Sequence, residues 1–286
     1  MSKFAMPLRK KIKLLNDGFI RYIDHMGSDL SIVRNARVSY DAEWRTGEDE
    51  GSDQRLINYL MNNGHNTPFE ACVVTFEVKA PIFNFRQWHR HRTQSYNELS
   101  ARYRELPEEF FIPDLITVTH QSTSNKQMRT GEQHPEAHWI QQRIEATNLE
   151  SFQAYHDLLE AGTPRELARS VLPVGTYSHM FATANLHNWF RFLEERLHPH
   201  AQYEIRVYAQ EILKQLEELF PVATRAFKLK RLKTALATEK AKLFDQALER
   251  ITDMLKGDDG QAFKEAEKFA IFADQKINQI YLDFES

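Results

Sequence analysis

Residues 90–103 read RHRTQSYNELSARY, and this short stretch holds three arginines, a histidine, a glutamate, two serines and two tyrosines around one long aliphatic side chain, Leu99. Guanidinium forks pair with phosphate, and aromatic rings stack on bases or flavins, so the composition points to a polyanionic ligand that carries a flat ring. If residues 81–90 are helical, Gln87 and Arg90 are three apart and share a face. If residues 97–103 are extended, Glu98, Ser100 and Arg102 fall on one side of a strand. A nucleoside monophosphate matches that set: phosphate for the arginines, a sugar hydroxyl for the carboxylate, and a base edge for the amides.

Two further clusters lie downstream. In TPRELARSVLP, Thr163 reads as a helix cap, Pro164 as the first helical residue, and Arg165 and Arg169 lie four apart on one face. Ion pairing with a neighbouring glutamate is the competing explanation for those arginines. In ANLHNWFRFLEERLHPHAQYEIR, Asn185 and Arg196 are eleven residues apart, which returns them to one helix face about 16 Å along the axis. Leu186, Trp189, Leu193 and Leu197 form an apolar stripe suited to a core.

The elements that must carry these groups alternate between short strands and longer helices. FIRYID (19–24) alternates like a strand, and DLSIVRNARVSY follows as a helix capped by Asp29. A charged loop, WRTGEDEGSD, leads to the amphipathic DQRLINYLMNNGH, closed by Gly64. CVVTFEVKA reads as a strand ending at Pro81, and PIFNFRQWHRHR as a short helix with proline in its first turn. Residues 114–135 are polar and aperiodic and predict a surface loop. Helical patterns cover about 136–161, 164–171 and 183–220, the last broken near Pro199. The Ala/Lys/Leu-rich stretch 225–286, with GDDG between two amphipathic runs, predicts a helical hairpin appended to a first domain of residues 1–224. Seven basic residues between Arg225 and Lys242 could touch nucleic acid or membrane, but an apolar stripe accompanies them, as on the solvated face of a packed helix.

The 286 residues are 42% hydrophobic and 12% aromatic, ample for a core, and the net charge of −3 argues against a general nucleic-acid binder. An anion site must then come from local clustering of arginines. A lone cysteine, Cys72, leaves no disulfide framework or cysteine zinc cage and fits a reducing cytoplasm. The N-terminal residues have no signal-peptide h-region, and no apolar run is long enough to span a bilayer. A metal-dependent hydrolase could be drawn from His89, His91, His198 and His200, but residues two apart on a helix do not face each other, so no metal site is expected. A nucleotide- or nucleic-acid-binding module built on the arginine cluster is the remaining alternative.

The run RHRTQSYNELSARY resembles the signature of flavin-dependent thymidylate synthases, an Arg-His-Arg triplet followed by serine, here Arg90, His91, Arg92 and Ser100. LLNDGFIRYIDHMGSDLSIVRNARVSY, GHNTPFEACVVTFEVKAPIF, EAGTPRELARSVLP and the Asn185–Arg206 segment resemble family blocks in family order, so the resemblance covers roughly residues 14–225. It implies an α/β (α+β) fold with a central mixed sheet and long helices. It further implies reductive methylation of deoxyuridylate (dUMP) to thymidylate (dTMP), with FAD as hydride carrier, 5,10-methylenetetrahydrofolate as carbon donor and NADPH as reductant. The assembly implied is a homotetramer with active sites between subunits.

Residue by residue, the resemblance assigns His65, Thr67, Arg90, His91, Arg92, Glu98, Asn185, His187 and Arg191 to the flavin. Gln87, Arg90, Glu98, Leu99, Ser100, Ala101, Arg102, Arg169 and Arg196 are assigned to deoxyuridylate. His187 stands where many members have arginine, and Arg191 where many have asparagine. His65 and Thr67 also read as turn and helix-end residues. Arg196 is the implied catalytic group, a cation at the uracil that favours the ionised base. Of the conceivable nucleophiles, Cys72 shares a strand face with Val74 and Phe76 and should be buried with a raised pKa, and Ser100 has no base to activate it.

Overall fold

The computed structural model of the protein describes residues 10–123 and 125–232, so the helical hairpin expected over 225–286 lies almost wholly outside the described residues. The chain divides into two compact units after Val222. In the first, strands β1 (Ile12–Leu14), β2 (Gly18–Met26), β3 (Val73–Pro81), β7 (Tyr177–Asn185) and β4 (Ser95–Glu98) form one sheet in that spatial order. Helices α1 (Asp29–Arg37) and α2 (Glu50–Asn62) connect β2 to β3, and α3 (Ile82–Trp88) follows β3 directly.

The α+β architecture is as expected, but every pairing is antiparallel, so the sheet is not mixed. Strands alternating with helices suggest parallel crossovers, yet the excursion through α1 and α2 returns to the end of β2 that it left, pairing Met26 with Val73. Strand alternation buries one face: Val74, Phe76 and Val78 of β3 lie beside Ala184, Ala182 and Met180 of β7, all at 5% exposure or less.

Helices α6 (Leu186–Arg196) and α7 (Tyr203–Leu219) belong to that core. The stripe Leu186, Trp189, Leu193 and Leu197 is buried as read from the sequence. Trp189 meets Phe76 edge-on at 5.1 Å and donates its indole N–H to the Val74 carbonyl at 3.1 Å. Trp88 packs on Phe192 at 4.6 Å, which fixes the end of α3 against α6. Each such ring contributes about 1.5–3 kcal/mol of burial free energy to the α3–α6 junction. A satellite core of Phe110, Phe152, Tyr155 and Ala168 seats α4 (Ala137–Glu160) and the short α5 (Arg165–Ala168).

Several boundaries differ from the sequence reading. Asp29 is the first residue of α1 rather than its cap, because Ser28 takes the cap position and the Asp29 carboxylate accepts from the Val222 N–H at 3.0 Å. Helix α3 stops at Trp88, so Gln87 is helical and Arg90 is not, and the two do not share a helix face. Residues 183–185 finish β7 instead of opening a helix. Pro164, not Thr163, is the N-cap of α5. The stretch 114–135 is not an irregular loop but a hairpin, β5 (Thr119–Gln121) and β6 (Arg129–Gln133), since polar strands of a solvent-facing hairpin carry no apolar alternation. A helix over Pro221–Phe227 continues as a π-helical turn, Lys228–Leu232.

Candidate active site

The chain leaves α3 in a tight turn, with the His91 N–H donating to the Trp88 carbonyl at 2.9 Å. The Tyr96 hydroxyl, on β4, braces that turn against the Trp88 and His91 carbonyls at 3.1 and 2.8 Å. The turn buries His91 to 8% exposure and aims its ring at the last residue of α6. Arg196 Nε donates to His91 Nε2 at 2.9 Å, and Arg196 Nη2 donates to the Gln87 carbonyl at 3.1 Å. A neutral imidazole is needed to accept that bond. Burial first, then the Arg196 and Arg191 charges, push the His91 pKa down to about 4, so it is neutral near pH 7. Burial also lowers the Arg196 pKa and Arg90 acts in the same sense, while Glu195 opposes them. Gln87, Arg90, His91, Arg191 and Arg196 therefore form one cluster, rich in positive charge and held on rigid backbone.

Glu98, Ser100 and Arg102 do not share a strand, because β4 ends at Glu98 and the chain turns. Glu98 accepts from the Ser178 hydroxyl at 2.6 Å and lies 3.9 Å from His89. The Leu99 N–H donates to the His179 carbonyl at 2.7 Å, Ala101 is buried, and Ser100 Oγ accepts from the Arg102 N–H at 3.3 Å. Arg102 pairs with Glu166 at 3.0 Å, three residues before Arg169 on the adjoining helical segment, so the α5 segment brings both arginines to one neighbourhood. Arg165 pairs with Glu105 at 3.5 Å, which is the ion-pair explanation realised at that position.

Asn185 caps α6, its Oδ1 accepting from the Asn188 N–H at 2.9 Å. His187 lies in the first turn of the same helix, and Arg92 and Arg191 are exposed. His65 and Thr67 flank the start of a 3-10 turn, Thr67–Ala71, that packs against α1 and α6. They line a cavity of about 500 Å³ with Ser39, Tyr40 and Tyr59, where the His65 ring stacks on Tyr59 at 5.9 Å. Sequence reasoning missed Tyr59 and Tyr40, whose signal is that large aromatics stay exposed on helix surfaces, at 57% and 87%. It missed Gln202 as well, whose amide accepts from Gln87 Nε2 at 2.5 Å. Of the four histidines weighed for a metal, His89 lies near Glu98 and His91 accepts from Arg196, whereas the His198 and His200 rings meet edge-on at 4.7 Å.

The chemistry a flavin nucleotide needs is present in two places: aromatic walls in the cavity suit a flat ring system, and the guanidinium groups of the separate arginine cluster suit a diphosphate.

Residues 21–222 match the family model of the thymidylate synthase complementing protein. The flavin-dependent thymidylate synthase of Thermotoga neapolitana is 46% identical over 217 residues, covering 76% of this chain and 94% of its own. That of Rickettsia prowazekii is 41% identical over 265 residues, covering 88% of this chain and 87% of its own. Among solved structures, the UMP/dUMP methylase PolB from Streptomyces cacaoi bound with 5-Br dUMP superposes with a TM-score of 0.70 at 36% identity, over 77% of this chain and 98% of PolB. With the match spanning the sheet, the arginine cluster and α6, the chain belongs to the flavin-dependent thymidylate synthase family.

Proposed function

We propose that this protein is a flavin-dependent thymidylate synthase, a methyltransferase that converts deoxyuridylate to thymidylate. The observation that carries the reading is the Arg196 guanidinium held by His91 Nε2 and the Gln87 carbonyl at the centre of an arginine cluster. FAD, when bound, supplies the hydride for the reductive step. The chain's own residues bind and polarise the nucleotide. Arg196 lies against the uracil and stabilises negative charge on the base, Arg102 and Arg169 take the phosphate, and Glu98, Leu99, Ser100 and Ala101 line the sugar and phosphate. His65, Thr67, Arg90, His91, Arg92, Asn185, His187 and Arg191 contact the flavin.

No protein nucleophile takes part. Cys72 has no exposed surface, burial pushes its thiol up to about 12, and its Sγ lies 3.5 Å from the Ser28 carbonyl. Ser100 Oγ already accepts a backbone N–H, and no basic side chain reaches it among the described residues. Methylenetetrahydrofolate as carbon donor, NADPH as reductant and a homotetramer with sites between subunits follow from the family resemblance. The exposure of His65, Thr67, Arg92 and Arg102 in a single chain is consistent with a site that a second subunit completes. No described helix is long and apolar enough to cross a membrane, and the lone buried thiol suits a reducing cytoplasm. Residues 225–286 act in stability or assembly rather than in the site.

The experiment is direct: purified protein is assayed for flavin absorbance and for thymidylate formed from deoxyuridylate, methylenetetrahydrofolate and NADPH. Colourless protein that binds neither flavin nor deoxyuridylate would reject the reading.

A further inference from the structure

A chain of polar side chains leads from the β5–β6 hairpin to the site. Arg129 Nη2, on β6, donates to both carboxylate oxygens of Glu204 at 2.7 Å, and Glu204 has no exposed surface. Arg129 Nη1 also donates to the Thr117 carbonyl at 3.2 Å, so the guanidinium is fixed at both ends. Gln202 Nε2 donates to Glu204 Oε2 at 2.7 Å, and Gln87 Nε2 donates to Gln202 Oε1 at 2.5 Å. The backbone supports the same arrangement, since the buried Asn84 of α3 donates its amide to the Glu204 carbonyl at 2.8 Å.

The order of donors in this chain is imposed, not chosen. A carboxylate can only accept, so Gln202 must present its NH2 group to Glu204, and its Oε1 is left facing Gln87. An oxygen can only accept as well, so Gln87 must present its own NH2 group to Gln202. Gln87 Oε1 is then the atom left over, and it has no hydrogen-bond partner among the described residues. The buried Glu204 charge thus fixes both amides, Gln202 directly and Gln87 through Gln202.

We propose that Glu204 and Gln202 are positioning residues that fix the orientation of the Gln87 amide, so that Gln87 offers the nucleotide a carbonyl oxygen and reads a hydrogen-bond donor on it. This rests on the reading that Gln87 contacts deoxyuridylate. The donor is an N–H or O–H, supplied by the imide of the base or a hydroxyl of the sugar. Free rotation of an unanchored amide would offer NH2 as readily as oxygen and lose that selectivity.

The test titrates the flavin-loaded full chain with deoxyuridylate, with its N3-methyl analogue and with dideoxyuridylate, reading the flavin spectrum. Gln202→Met should weaken deoxyuridylate by about tenfold, the usual effect of one well-placed hydrogen bond. For the analogue that lacks the donor read by Gln87, the same substitution should cost less than about twofold. That analogue identifies the source, base or sugar. An equal loss for all three nucleotides, or no loss for any, overturns the proposal, because a general structural role would not depend on one donor. Gln87→Met run in parallel separates the two layers. If it leaves deoxyuridylate binding unchanged, the contact assigned to Gln87 and the proposal built on it both fall, while thymidylate formation by the parent still upholds the synthase reading. Should Gln202→Met fail to retain flavin, Gln202→Asn keeps the amide but withdraws it from Gln87, and the same pattern across the three nucleotides is expected.

Discussion

Arg196 Nε lies 2.9 Å from His91 Nε2, across 105 residues of sequence, so the last residue of α6 and the turn after α3 share one hydrogen bond at the site. The imidazole can accept only while neutral, and burial together with two arginines keeps it so. The bond therefore holds a guanidinium at a fixed place without neutralising it, which suits the role proposed for Arg196 at the uracil ring.

Removing that cation should affect chemistry more than flavin retention. Arg196→Ala is expected to lower kcat by about two to three orders of magnitude, the usual cost of losing one preorganised charge stabiliser. Flavin content per chain, read from absorbance, should stay near that of the parent. Arg196→Lys should recover little, since a point charge cannot bond His91 and the Gln87 carbonyl with one planar fork.

The pH dependence of stability has a definite sign. The folded His91 pKa, about 4, lies below the ordinary histidine value near 6.5, so the unfolded chain binds more protons between those pH values. The stability His91 contributes is complete above about pH 6.5 and is lost as pH falls toward 4, by up to about 3 kcal/mol. Denaturant unfolding at stepped pH should show that slope in the parent and a shallower one in His91→Asn. Identical slopes would contradict the burial of a neutral ring.

The phosphate assignment rests on the α5 segment. Arg102 pairs there with Glu166, both more than half exposed, so the pair is weak and a phosphate can displace it. Arg169→Ala should raise the KM for deoxyuridylate by about one to three orders of magnitude, or roughly 1.5–4 kcal/mol of charge-assisted bonding. The flavin should remain bound. Deoxyuridine binding as tightly as deoxyuridylate in the parent would rule the assignment out.

Cys72→Ser should retain thymidylate formation. The thiol sits in the core beside Gly27, whose positive φ brings its backbone close, and a hydroxyl there can still donate to the Ser28 carbonyl. A loss of about 1–2 kcal/mol in unfolding free energy is expected from burying the more polar group. Deoxyuridylate found covalently attached to Cys72 or Ser100 during turnover would overturn the absence of a protein nucleophile.

Much of this was legible in the residues themselves. Alternation in CVVTFEV correctly placed Cys72, Val74 and Phe76 on one buried face, and the spacing Leu186, Trp189, Leu193, Leu197 gave the core stripe of α6. The arginine signature pointed to the family that the comparisons show. What periodicity could not give was the exact end of α3 and of β4, which depends on tertiary bonds from Tyr96 and His179 to the turns. The β5–β6 hairpin was invisible because its strands are polar on both faces, and the Gln202–Glu204 relay because each member finds its partner only through the fold.

The decisive measurement is a single-turnover quench on the purified protein with its flavin chemically reduced, mixed with deoxyuridylate and methylenetetrahydrofolate. Thymidylate should form in an amount close to the bound flavin as the flavin reoxidises without oxygen, and Arg196→Ala should slow that step by about a hundredfold or more. Flavin that stays reduced, with deoxyuridylate recovered unchanged, would contradict the assignment of this protein as a thymidylate synthase.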